Sequence, residues 1–277
     1  MHKQSFIQGA LILMISGFFN RILGFVLRII LVSKVGDEGL GLFQMVHPVF
    51  VTLLLINTAG FPTAISKLIP ERLAKNNVQG AYRLLKVTLI FISSMSLFII
   101  VTIFLTANFI STNIFNDSRT YIILLFITPA IIFCALSSSL RGFFQGFNTM
   151  IPTAISQSSE QINRIIGTLI ILNLVSHLGL KYQTASIALG IGIGEFTGFL
   201  FLLYFFFRDF RNPEKIINKK NHNKHQNHFY DDFKIICGMA LPLTIGRIVN
   251  SLMQSGEAIL IPRQLQVAGN SLEQATS

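Results

Sequence analysis

The sequence predicts an all-α integral membrane protein, a polytopic helix bundle of about seven transmembrane helices. Of the 277 residues, 51% are hydrophobic and only 12% are charged, and the mean hydropathy is +0.60. Soluble domains carry about 25% charged residues. Apolar runs long enough to cross a bilayer, which requires about 20 residues per helix, recur along the chain. The 22 Lys and Arg residues do not form a basic face with stacking aromatics, so no nucleic-acid partner is expected.

The apolar segments are separated by short polar turns. Residues typical of turns lie between them, as in Gly36-Asp37-Glu38-Gly39 and Asn116-Asp117-Ser118. The predicted spans are 6–33, 40–66, 84–108, 120–144, 152–176, 184–207 and 235–261.

The basic residues predict the orientation of these spans. If the N-terminus is cytoplasmic, the inner segments hold fourteen Lys and Arg residues, the outer segments hold four, and four arginines lie within spans. Cytoplasmic loops are enriched in Lys and Arg. We therefore predict a multi-pass protein of the cell membrane with a cytoplasmic N-terminus.

A polar, basic stretch divides the chain. Residues 208–234 are rich in Lys, Asn and His and follow six apolar segments. We interpret them as a cytoplasmic linker between an N-terminal six-helix lobe, residues 1–207, and the first helix of a truncated second lobe, residues 235–277. The histidines of the stretch fit a solvated low-complexity linker better than a metal site. The odd helix count predicts that the C-terminal lobe continues beyond residue 277.

No motif in the sequence indicates catalysis. It has no nucleophile with a base and an orienting group, no phosphate-binding loop and no metal-binding motif. Cys134 and Cys237 lie inside apolar segments and are interpreted as small buried hydrophobic residues. We therefore predict a protein that is not an enzyme and has no cofactor.

Two arginines of the first span are candidate binding residues. Gly17, Arg21, Gly24 and Arg28 are spaced i, i+4, i+7 and i+11, so they share one helical face. An arginine at the centre of a bilayer costs at least about 2.5–3.5 kcal/mol. This face is therefore a candidate wall of an anion-binding cavity. The alternative is helix packing, with Arg28 extending toward the headgroups.

The fifth span has an unusually polar first half. Glu160 and Arg164 have the i, i+4 spacing that allows them to pair, and Gln157 and Gln161 share that side of the helix with Arg164. A lipid-facing helix would not tolerate these residues, so they line protein or water. They are candidate cavity residues, and a purely structural ion pair is the alternative.

Glu195 lies in the middle of the sixth span. Gly190, Gly194 and Gly198 beside it have the spacing of small residues that allows close helix packing. No βαβ unit surrounds these glycines, so a dinucleotide site is rejected. Glu195 is a candidate proton or cation relay, and H⁺ or Na⁺ would fit as a coupling ion. The alternative is a buried carboxylate that is paired or protonated.

The seventh span contributes a second cationic face. Arg247 and Asn250 are three residues apart and follow Pro242. Transporters commonly bind substrate near the midplane between their repeats. We predict that Arg247 and Asn250 close an anion site opposite Arg21 and Arg28.

Short motifs occur in a characteristic order along nearly the whole chain. They are Asn20-Arg21-Ile22-Leu23-Gly24-Phe25, Gly60-Phe61-Pro62-Thr63, Leu140-Arg141-Gly142-Phe143, Ile151-Pro152-Thr153 and Ala240-Leu241-Pro242. Together they resemble the polysaccharide-exporter and stage V sporulation protein B branch of the MOP flippase superfamily, which is related to lipid II flippases.

The resemblance implies two six-helix lobes that rock about a central cavity. It implies an anionic lipid-linked glycan or cell-wall precursor as cargo, with Arg21, Arg28 and Arg247 at positions that would engage its pyrophosphate. One alternative is a cation-coupled multidrug exporter of the same superfamily, which predicts an acidic cavity. Another is a non-transporting scaffold of cell-envelope assembly, whose function would survive loss of these charges. Four intramembrane arginines against Glu160, Glu195 and Glu257 favour the anionic cargo.

Overall fold

Helices make up the regular structure of this protein. The computed structural model describes residues 5–58, 60–210 and 229–246, and contains no strand in these ranges. The helices are α1 (Phe6–Thr58), α2 (Phe61–Ala74), α3 (Val78–Phe109), α4 (Thr120–Ile127), α5 (Ala130–Gly146), α6 (Ile151–Leu174), α7 (Leu180–Asp209) and α8 (229–246). A π-helical turn, Ile110–Ile114, follows α3 directly. The predicted all-α bundle is confirmed.

The outer surface of the bundle is suited to lipid. Large apolar side chains point outward, including Phe18, Phe98 and Leu105, which are 68%, 66% and 81% exposed. Four stretches of the described residues are long and apolar enough to cross a bilayer: Ile7–Ala74, Val78–Ile114, Thr120–Gly146 and Leu180–Asp209. The chain is a multi-pass membrane protein, as predicted.

α1 folds back on itself at Gly36. Gly36 has φ 75° and ψ 174°, which interrupts the helix and favours glycine. Leu27 and Gln44, nearly equidistant from Gly36, line the same cavity, although a straight helix would hold them about 25 Å apart. The part before Gly36, the N-terminal arm, therefore lies alongside the part after it, the C-terminal arm.

Two predicted spans are each divided into two helices. Within 40–66, α1 ends at Thr58, and α2 begins with Pro62 in its first turn after Gly60 at φ 72°. Within 120–144, α4 ends at Ile127 and Pro129 precedes α5. Proline lacks a backbone N–H and its ring clashes with the preceding turn, so it fits helix starts and disrupts helix interiors. The number of membrane crossings stays a prediction.

Ion pairs join loops that the predicted topology places on the same side of the membrane. Arg119, before α4, donates to Glu38 in α1 over 2.7 Å, and both are predicted to be outside. Arg72 in α2 donates to Asp232 in α8 over 2.8 Å, and both are predicted to be inside. The structure agrees on which loops share a side. The cytoplasmic assignment of the N-terminus stays a prediction.

α8 begins at residue 229, inside the stretch predicted as a linker. Phe233, Ile236 and Ala240 follow a helical apolar spacing and pack in a cluster formed mainly by α2 and α3. Asp232 is fully buried between Arg72 and Arg83. This packing explains why 229–234 is helical. Residues 211–228 and 247–277, with Arg247 and Asn250, lie outside the described residues, so the division into lobes stays a prediction.

Candidate functional site

A cavity of about 330 Å³ lies between the two arms of α1, α6 and α7. This volume is within the range of small-molecule sites, about 300–1,000 Å³. Leucine and isoleucine side chains form much of the wall. The polar groups that line it are Asn20, Arg28, Gln44, His47, Gln161, Arg164 and Thr168.

The charged groups of the cavity are cationic. Arg28 extends from the N-terminal arm of α1 and Arg164 from α6, and none of the lining residues found in the described part of the chain is Asp or Glu. His47 adds an imidazole that can donate a hydrogen bond. A cleft lined by one sign of charge concentrates the opposite ion, so this lining is chemically suited to an anion.

The N-terminal arm of α1 places Arg28 at the edge of its buried face. Leu27 and Leu31 are 7% and 6% exposed and pack against α6 and α7. Gly24, one turn before Arg28, faces Gln161: a Cβ there would lie in ordinary contact, 3.5 Å from Nε2 of Gln161. Arg28 has no carboxylate partner among the residues described.

Arg21 and Gln157, two other predicted cavity residues, are placed beside the cavity rather than in its wall. Arg21 is exposed, two turns before Arg28 on the same side of α1. Gln157 is partly buried, and Gln161, one turn further along α6, lines the cavity instead.

Glycines bring α6 and α7 into close contact, as their spacing predicts. A Cβ at Gly194 would lie 2.8 Å from the backbone O of Glu160, and one at Gly190 would lie 1.8 Å from Oγ1 of Thr168. Side chains at these positions would hold the helices apart. The close approach places Glu195, next to Gly194, beside the ion pair of α6.

Four charged side chains form a network beside the cavity. Glu160 accepts from Nη2 of Arg164 over 2.6 Å, the predicted i, i+4 pair, and from Nη2 of Arg141 on α5 over 2.7 Å. Nη2 of Arg164 also lies 3.4 Å from Oε1 of Glu195. Arg164 thus belongs both to the cavity wall and to this network.

Glu195 is the least satisfied member of the network. It is 6% exposed, and its Oε2 has no hydrogen-bond partner within the described residues. Nε of Arg164 likewise lacks an acceptor there. Buried polar atoms normally have partners, so Glu195 and Arg164 each keep an unused hydrogen-bonding position.

Several residues of the site were not predicted from the sequence. Arg141 joins Glu160 across 19 positions, so its role depends on how α5 packs against α6. Gln44 and His47 are polar, three residues apart, in an otherwise apolar span, and this spacing was the available signal. Asn20 lies one turn before Gly24 and carried a similar signal.

The residues described offer no cluster of three or more His, Cys, Asp or Glu side chains that could hold a metal ion. The polar groups of the site are therefore guanidinium, amide and imidazole donors together with the two network carboxylates. Such groups can bind an anion and exchange a proton.

Comparison with known proteins shows the fold first and then the family. A solved MOP superfamily transporter from Pyrococcus furiosus aligns with 93% of this chain and 55% of that chain, with a TM-score of 0.70 at 16% identity. This is the fold of MOP superfamily transporters. The sequence matches the family model described as polysaccharide biosynthesis protein over residues 6–266. The chain belongs to this family, and the resemblance found in the sequence is confirmed.

Relatives in Bacillus subtilis (strain 168) agree with this assignment. Stage V sporulation protein B is 32% identical over 100% of this chain and 52% of its own length. Lipid II flippase MurJ is 29% identical over 70% of this chain and 36% of its own length. The chain thus spans about half or less of the length of these relatives. They bear the names of a sporulation protein and a flippase rather than of an enzyme.

Proposed function

We propose that this chain is the first part of a flippase that exports an anionic lipid-linked glycan or cell-wall precursor by alternating access. The observation that carries the proposal is the cavity beside α6. It presents the guanidinium groups of Arg28 and Arg164 and no carboxylate among its described lining residues.

The chemistry of the cavity suits a pyrophosphate. Guanidinium groups donate two parallel hydrogen bonds to phosphate oxygens, and the amides of Asn20, Gln44 and Gln161 add further donors. Moving such a headgroup across hydrocarbon requires a polar path, while its prenyl tail stays in lipid. The exposed apolar faces of the bundle leave the lipid next to the site accessible to that tail.

The remaining predicted residues take supporting roles in this proposal. Arg21, two turns from Arg28, would attract the headgroup toward the cavity. Gln157 would extend the polar surface of α6, and Glu160 would hold Arg164 in place. Arg247 and Asn250 would close the site from the second lobe.

A cation-coupled multidrug exporter is the main alternative, and it predicts acidic groups in the cavity wall. The two glutamates of the region are instead paired with Arg141 and Arg164 behind the wall. This arrangement favours an anionic cargo over a cationic one.

A flipping assay on the complete protein in liposomes tests the proposal. Arg28→Gln should slow translocation of a lipid-linked oligosaccharide diphosphate about tenfold or more, since a hydrogen bond to a charged group contributes about 1.5–3 kcal/mol. Lys34→Gln, an exposed cation of the same arm outside the cavity, is the matched control and should stay close to wild type.

Three outcomes would contradict the proposal. Equal rates for wild type and Arg28→Gln would argue against the cavity as the binding site. Translocation of cationic dyes but not of the diphosphate would favour the multidrug exporter. Full cellular function of the two variants without any translocation would favour the scaffold.

A further inference from the structure

The two carboxylates behind the cavity are stabilised very unequally. Glu160 accepts two charge-assisted hydrogen bonds, 2.7 Å from Arg141 and 2.6 Å from Arg164. Glu195 has one contact to a cation, 3.4 Å from Arg164, lies beside the uncharged Cys134 and the like-charged Glu160, and has a buried Oε2 without a hydrogen-bond partner of good geometry in the described region. Burying a charge without full pairing is costly. Protonation of Glu195 would therefore remove a larger electrostatic cost than protonation of Glu160.

Arg164 connects Glu195 to the cavity. Its guanidinium lines the cavity wall, while its Nη2 is shared between Glu160 and Glu195. An anion in the cavity would attract this guanidinium. The longer of its two contacts, the one to Glu195, is the weaker and would be lost first.

We infer that Glu195 is a proton-binding site and that Arg164 couples its protonation to anion binding in the cavity. The inference rests on the proposed function and names the proton as the ion coupled to anion binding. Anion binding draws Arg164 away, so Glu195 takes up a proton. Because coupling is reciprocal, a protonated Glu195 releases Arg164 for the anion and strengthens its binding.

A proton fits this position better than Na⁺. The four side chains of the network carry two positive and two negative charges, and both guanidinium groups contact a carboxylate. A metal cation next to Glu195 would be repelled by the nearby guanidinium groups of Arg141 and Arg164, and it would need several oxygen ligands. A proton needs a single lone pair, such as that of the unpartnered Oε2.

Other ionisable groups surround Glu195 and enter the design of the test. His47 carries an ionisable imidazole, and it also lines the cavity. The groups that face the network from the helices packed against α7 are Cys134 and Arg141 on α5, Glu160 and Arg164 on α6, and His47 on α1.

Calorimetry with inorganic pyrophosphate tests the inference on the complete protein in detergent. Titrations in buffers of different ionisation enthalpy count the protons taken up with each bound anion. Wild type should take up more protons than Glu195→Gln, by up to about one. Glu195→Asp, which keeps a carboxylate, should restore the uptake, and Glu71→Gln, an exposed glutamate of α2, is the control.

Affinity gives a second, independent readout. Wild type should bind pyrophosphate more tightly as the pH falls, by about tenfold across the titration. Glu195→Gln, which resembles the protonated state, should lose most of this dependence and bind at least as tightly as wild type at high pH. The comparison is repeated in the His47→Gln background, so that protons bound by His47 are separated from those bound by Glu195.

The outcomes separate the inference from the proposed function. Pyrophosphate binding to wild type without proton uptake would overturn the inference and leave the flippase proposal intact. Equal proton uptake by wild type and Glu195→Gln would also overturn the inference and leave the flippase proposal intact. So would an affinity for pyrophosphate that depends on Na⁺ instead of pH. If pyrophosphate does not bind at all, the proposed function falls and the inference falls with it.

Discussion

Nη2 of Arg164 lies 3.4 Å from Oε1 of Glu195, across the interface between α6 and α7. The two residues are 31 positions apart, and glycine on α7 allows the helices to approach this closely. Arg164 also lines the cavity. The contact between Arg164 and Glu195 therefore connects a buried carboxylate on α7 with the wall of the candidate binding site.

The glycine contact between α6 and α7 can be tested by adding a methyl group. A Cβ at Gly194 would lie 2.8 Å from the backbone O of Glu160, which cannot move aside as a side chain can. Gly194→Ala should therefore destabilise the protein by about 1–3 kcal/mol, as overpacking does. Thermal unfolding of the purified protein measures this.

Gly192→Ala is the matched control for this substitution. A Cβ at Gly192 has no atom within 4 Å, and alanine is the better helix former by about 0.5–1 kcal/mol. The variant should be as stable as wild type or slightly more stable. Equal destabilisation by both alanines would show that close packing at Gly194 is not the cause.

The buried ion pairs of α8 predict a large effect of neutralising Asp232. Asp232 is fully buried and pairs with Arg72 and Arg83, which are 13% and 28% exposed. Asp232→Asn would leave two largely buried cations without a counter-charge, at a cost of about 3 kcal/mol. Asp209→Asn breaks the exposed pair with Arg208 and should cost less than about 1 kcal/mol. Chemical denaturation distinguishes the two, and similar losses would contradict the burial argument.

The loop before α4 should give a small stability contribution that depends on pH. Hydrogen bonds from Arg119 lower the pKa of Asp117 below its ordinary value of 3.8. A carboxyl with a lowered pKa stabilises the folded state above that ordinary value and loses the contribution as the pH falls through its folded pKa. Arg119 is 42% exposed, so solvent screening keeps the effect below about 1 kcal/mol.

Asp117→Asn tests this dependence. The variant should unfold at a slightly lower temperature than wild type near neutral pH. The difference should shrink in strongly acidic buffer, where Asp117 of the wild type is also neutral. A difference that grew on acidification would contradict the sign of the pKa shift.

Cysteine labelling tests the predicted orientation. In a background with serine at positions 134 and 237, single cysteines replace Ser118 and Asn76, which are both exposed. A maleimide that cannot cross membranes should label Ser118→Cys on intact cells. It should label Asn76→Cys only after the cells are opened. The reverse pattern would place the N-terminus outside.

The fold class was predictable because membrane helices satisfy their backbone locally, so long apolar runs reveal them. The exact division of two spans was less predictable: Pro62 and Pro129 mark positions where helix geometry is disturbed, but apolar composition continues across both. Local spacing also predicted the Glu160–Arg164 pair and the close approach at Gly194. Both features were predictable because they follow from residue spacing within a single helix.

The cavity was only partly predictable, because its walls come from helices distant in the sequence. Arg28 and Arg21 have equivalent positions on one helical face, yet only Arg28 lines the cavity. Arg141 and His47 became part of the site through packing of α5 and through the turn at Gly36. Local spacing marks His47 as a polar position in its span, but no local pattern shows which helices pack around His47 or Arg141.

The claim on which the account depends is that an anion binds between Arg28 and Arg164. The most direct measurement is equilibrium binding of inorganic pyrophosphate to the complete purified protein and its variants. Arg28→Gln should weaken binding about tenfold or more. Arg28→Lys should weaken it less, because lysine keeps the positive charge but lacks the paired N–H donors of the guanidinium group. Lys34→Gln should bind like wild type. Identical affinities for wild type and Arg28→Gln would contradict the account.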